Sequence, residues 1–147
     1  MSTSRVFLAA AAAAALVGSF TAASASDLSA SADVVRSTVA GHPYQNGGIG
    51  RDEVADMGRH QQAYDLHLTF SEGARNAYAA GLALRITDTA GQQVFGLRSA
   101  GPQTDVSLPA GRYHVAADLD GVVHTAVVDV SPSRPADLHL HWLQRAG

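Results

Sequence analysis

From Leu108 to Val130 the chain reads LPAGRYHVAADLDGVVHTAVVDV, a run with the pattern of two paired strands. On both sides of Asp120-Gly121 the residues follow a period of two, as in strands with one buried face. A two-residue type I′ turn needs positive φ at both central positions, which Asp tolerates and Gly adopts freely, so Asp120-Gly121 closes a β-hairpin. The turn fixes the register. Leu119 faces Val122, Ala117 faces His124, Val115 faces Ala126 and Tyr113 faces Val128 on a mostly apolar side. On the other side Arg112 faces Asp129, His114 faces Val127, Ala116 faces Thr125 and Asp118 faces Val123. Pro109 pre-sets a turn before the first of these strands, with Gly111 expected in a left-handed conformation.

The same period runs outward from the hairpin. Tyr64, Leu66, Leu68 and Phe70 alternate with Asp65, His67 and Thr69, and Leu82, Leu84 and Ile86 alternate with Ala83, Arg85 and Thr87. Short strands are expected at 93–97 and 104–108, on either side of the break at Gly101-Pro102. Beyond the proline-rich segment 131–135, Leu138, Leu140 and Trp142 alternate with His139 and His141. With the hairpin this makes seven strands, and the expectation is a mostly β chain: a seven-stranded antiparallel Greek-key β-sandwich over 62–147. Ahead of it, 51–61 is expected as a short helix. Asp52 and Glu53 lie in its first turn, Arg59 and His60 near its end, and Val54 and Met57 form a narrow apolar stripe.

Composition bounds the rest. The chain has 147 residues and no cysteine, which excludes disulfides, thiolate metal sites and a cysteine nucleophile. Arg5, the alanine-rich run 6–17 and Ala23-Ser24-Ala25 read as a signal peptide over 1–25, cut ahead of Ser26. A periplasmic or secreted domain without stable membrane insertion is expected. The mature chain would carry a net charge near −4, which gives no reason to expect nucleic acid as a partner. Residues 26–50 read as a flexible leader ending in Gly47-Gly48-Ile49-Gly50. That cluster resembles a phosphate-binding loop, but no strand is expected before it and the Gly-Lys-Ser/Thr ending is missing.

The run from Tyr78 to Val130 resembles the carboxypeptidase regulatory-like domains, which have a transthyretin-like, prealbumin-type sandwich. The resemblance is carried by Gly81-Leu82-Ala83-Leu84-Arg85-Ile86-Thr87-Asp88 with Gly91 after it, and by Leu108-Pro109-Ala110-Gly111-Arg112-Tyr113-His114-Val115. Gly47-Gly48-Ile49-Gly50 and Tyr64 to Phe70 also resemble small exported proteobacterial proteins that carry such a domain. The resemblance implies a non-enzymatic accessory module without cofactor, bound to another envelope protein. The wider fold group includes starch-binding-like domains, so a glycan is the alternative partner. A third reading is divalent metal binding.

Candidate residues follow from these readings. His139 and His141, two apart on a strand, project from one face, a spacing that metal sites use, and His67 is the candidate third ligand. Tyr44 and Tyr78 are expected in loops, where an exposed ring can stack on a sugar. His124 falls on the core side of the hairpin, read as a neutral histidine at the open end of the sandwich. No Gly-x-Ser-x-Gly or His-Glu-x-x-His occurs, so no catalytic residue is assigned.

Overall fold

The computed structural model describes residues 34–143, so the expected signal peptide over 1–25 lies outside the described residues. Strands β1 (Val35–Val39) and β2 (His42–Gly47) come first, then helix α1 (Arg51–His60), which runs into a 3₁₀ turn at Gln61–Ala63. Strands β3 (Leu66–Glu72), β4 (Ala77–Tyr78), β5 (Leu82–Thr87), β6 (Gln93–Ala100) and β7 (Gln103–Val106) follow. The chain then forms β8 (Gly111–Leu119), β9 (Val122–Val130) and β10 (Ala136–Trp142).

These strands make two sheets. The first has six strands in the order β1-β2-β7-β3-β10, with β4 also paired to β3; the second has four, in the order β6-β5-β8-β9. Their facing sides supply one apolar core: Leu66, Leu68 and Phe70 from β3 meet Ile86, Phe95 and Val115 from the second sheet. The alternation read from the sequence is what aims these side chains inward.

The hairpin of β8 and β9 has the expected register throughout, from Arg112 opposite Asp129 to Leu119 opposite Val122. Asp120 and Gly121 have φ of 51° and 86°, as a type I′ turn requires. Arg112 Nε donates to Asp129 Oδ1 at 2.8 Å across the exposed face.

Four expectations are corrected. The described residues hold ten strands, not seven. Two of the additional ones, β1 and β2, form an antiparallel hairpin within the segment 26–50 expected as a flexible leader. Their sequences, VRSTV and HPYQNG, carry no strong strand pattern, and β2 is held by long-range pairing with β7. The sandwich is not wholly antiparallel, because β10 runs parallel to β3 over seven residue pairs. Between β3 and β10 the chain passes through the second sheet, so no tight turn dictates their relative direction. Finally, Gly111 is not left-handed: it begins β8 opposite Val130, and a Cβ there would meet only the Tyr113 ring at 3.7 Å.

Trp142 joins the two sheets at one end. Its indole packs near Phe70, and its Nε1–H donates to the Val122 carbonyl at 2.8 Å. His124 stacks on the same indole with ring centroids 4.5 Å apart and planes 12° from parallel. This places the hairpin histidine at the end of the sandwich, as its register implied.

Candidate functional site

Strand pairing sets a polar row across the outer face of the six-stranded sheet. Arg36, Gln45, Asp105, His67 and Asp137 are successive cross-strand neighbours from β1 to β10. His67 Nδ1–H donates to Asp105 Oδ1 at 2.9 Å, and Gln45 Nε2 donates to Asp105 Oδ2 at 2.7 Å. The Gln45 amide also donates to the Met57 carbonyl at 3.0 Å, tying the row to α1, and its oxygen accepts from Arg36. Arg36 Nη2 reaches Asp56 Oδ2 of the helix at 2.7 Å.

Gln45, Asp105 and His67 are buried under this arrangement. The hydrogen bond to the Asp105 carboxylate raises the His67 pKa above the usual histidine value; burial opposes the shift, and the charges of Asp105, Asp137 and Asp65 reinforce it. The Arg36 guanidinium holds the Asp56 carboxyl below the usual carboxylate range against a smaller opposing effect of burial, with His60 and Arg59 adding to the shift. Among the described residues no buried side-chain nitrogen or oxygen lacks a hydrogen-bond partner. The network is therefore satisfied by its own members, which fits the fastening of helix to sheet.

The three histidines expected as metal ligands share this face but divide into two groups. His67 is engaged by Asp105. His139 Nε2 and His141 Nδ1 both lie at hydrogen-bond distance from Ser71 Oγ, 2.6 and 2.8 Å, where β10 runs beside β3. Ser71 is buried, so its hydroxyl serves as a bridge between the rings, donating to one and accepting from the other. No group of three or more His, Cys, Asp or Glu among the described residues is placed to hold a metal ion.

A different site stands at the entrance to α1. The chain leaves β2 through Gly48, whose φ of 96° suits glycine, and presents Ile49 with 72% of its surface exposed. The loop is fastened from within. The carboxylate of Glu53, itself buried, accepts hydrogen bonds from the backbone N–H groups of Ile49 and Gly50. Beside Ile49 a hollow of about 350 Å³ is lined by Arg51, Val54, Ala55 and Tyr78. Tyr78 is 51% exposed, and Arg51 has no carboxylate partner among the described residues.

A strand does precede the glycine cluster, contrary to expectation, and a helix follows it. Even so, the carboxylate of Glu53 occupies donors that a phosphate would need, so the loop is closed by the chain's own anion. No protein-family model matches the chain, and no curated protein matches it. What the site does therefore rests on its geometry.

The two candidate tyrosines part company. Tyr44 lies in β2, not in a loop; it is 8% exposed and meets Phe95 edge-to-face with centroids 5.3 Å apart, so it is a core residue and offers no ring to a ligand. Its side chain alternates inward opposite Val106, which the unrecognised strand had hidden. Tyr78 is exposed in β4 at the rim of the hollow. Ile49, Arg51 and Glu53 stand outside the residues expected from the sequence to carry function. One signal was present: Glu53 stands three residues after Gly50, the spacing at which a helix carboxylate returns to its own N-terminus.

Proposed function

We propose that the chain is a non-enzymatic accessory module of the bacterial envelope that docks another envelope protein through Ile49, Tyr78 and the hollow between them. The observation that carries this reading is an exposed isoleucine on a loop whose backbone is hydrogen-bonded to the buried carboxylate of Glu53. An isolated exposed aliphatic side chain is ordinary on a protein surface. Ile49 is instead presented by a loop that a buried carboxylate holds in place, beside an exposed tyrosine and a concave apolar surface. A preorganised apolar anchor loses little entropy on binding.

Arg51 at the rim adds a charge preference. The partner segment is an apolar side chain followed or preceded by a carboxylate, seated in the hollow with its charge on the guanidinium. Export in a periplasmic or secreted form, as read from residues 1–25, belongs to the same proposal. So does the resemblance of 78–130 to the carboxypeptidase regulatory-like domains with their prealbumin-type, Greek-key sandwich, since such domains act as accessories to other proteins. The glycan alternative needs exposed rings, and burial of Tyr44 removes one of the two it relied on.

Isolation of the tagged full chain from cells of its own host tests this. A protein that accompanies the wild type and the control Thr125→Asp variant is expected to be lost from Ile49→Asp and Tyr78→Asp. Retention by both apolar-to-acidic variants, or recovery of no protein with the wild type, contradicts the proposal.

A further inference from the structure

We infer that His139 and His141 form a chelating pair for Cu²⁺ on the outer face of the six-stranded sheet, apart from the Ile49 loop. Residues two apart on a strand project from the same face, and the parallel ladder of β10 with β3 fixes their backbone opposite Thr69 and Ser71. The rings are nearly perpendicular, with planes at 84° and centroids 6.5 Å apart, so they approach without stacking. One nitrogen from each is turned to the same place, His139 Nε2 at 2.6 Å and His141 Nδ1 at 2.8 Å from Ser71 Oγ.

Two nitrogens that converge on a hydroxyl also converge on an ion held just above it. Metal–imidazole bonds are about 2.0 Å long, so side-chain rotation that draws both nitrogens toward one point on the solvent side of Ser71 suffices. The ladder already holds the backbone, which leaves little to order on binding. His139 is exposed and His141 half-buried, so solvent and ions reach the pair.

The ligand count selects the ion. Structural and catalytic Zn²⁺ sites take three or four protein ligands. Here no third His, Cys, Asp or Glu joins the pair among the described residues, and His67 is held by Asp105. Cu²⁺ stands at the top of the divalent series for nitrogen donors and accepts a tetragonal set in which water completes the plane. Two neutral imidazoles and water meet that requirement.

Titration of the full chain with Cu²⁺, followed by electron paramagnetic resonance, tests the pair. The expected result is a saturable site with nitrogen hyperfine structure, weakened about tenfold or more in either His139→Gln or His141→Gln, because each loses the intramolecular second ligand. Glutamine keeps a side chain able to hydrogen-bond Ser71, and circular dichroism checks that each variant is folded. The control His42→Gln/His114→Gln retains wild-type affinity. Absence of saturable binding, or affinity unchanged in both His139→Gln and His141→Gln, overturns the inference.

Discussion

His67 on β3 donates to Asp105 on the adjacent strand β7 at 2.9 Å, and both side chains are buried. Its pKa is raised mainly by that hydrogen bond. A histidine whose folded pKa exceeds its unfolded one, about 6.5, binds its proton more tightly when folded. Its stabilising contribution is therefore fully present below about pH 6.5 and is lost as pH rises through the higher folded value. The difference in unfolding free energy between wild type and His67→Gln is expected to shrink as pH rises above about 6.5. Urea unfolding at a series of pH values measures it, and a difference independent of pH would refute this role for the pair.

Gln45 is the point where helix, β1 and β7 meet. Gln45→Leu leaves a carboxylate oxygen of Asp105 and the Met57 carbonyl without their donor, which costs about 1–3 kcal/mol for buried groups. Arg36→Ala removes a partly exposed ion pair with Asp56 and the donor to one acceptor, the Gln45 side-chain oxygen, against the two acceptors that Gln45→Leu leaves unpaired, and is expected to cost less. Chemical denaturation of the two variants should rank them in that order.

The turn between β8 and β9 predicts a local effect. Gly121 has a φ of 86°, where an L side chain is strained, so Gly121→Ala is expected to destabilise by about 1–2 kcal/mol. Asp120→Gly meets no such penalty in the native turn. Thermal unfolding should separate the two by several degrees.

Trp142 is the chain's single tryptophan, and its indole touches both sheets. Trp142→Phe keeps an aromatic beside Phe70 but loses the hydrogen bond to Val122 and changes the stack on His124. The expected cost is about 1–2 kcal/mol. Calorimetry reads the loss directly. In the wild type, tryptophan emission should follow the same unfolding transition as circular dichroism, since separation of the sheets exposes the indole.

How much of this was legible in the chain follows from the range of the interactions. The register of β8 and β9 was, because a two-residue turn and a period of two are local properties. Helix α1 was, through its terminal charges and the spacing of Val54 and Met57. Strand β2 was not: HPYQNG reads as loop until β7 pairs with it, and with it went the burial of Tyr44 and the strand that aims Ile49 outward. The direction of β10 was also out of reach, since nothing near Leu138 records which strand lies beside it. His139 and His141 were legible as a pair sharing a face. Ser71, on which they converge, is about seventy residues away in sequence, and Asp105, which engages His67, is 38 away.

The docking proposal has one direct measurement: a photo-activated cross-linking residue placed at position 49 of the full chain in its host, with a control at position 125 on the outer face of the four-stranded sheet. The account predicts an adduct of discrete mass from position 49, abolished by Tyr78→Asp in the same chain, and none from position 125. No adduct from position 49, or the same adducts from both positions, would contradict it.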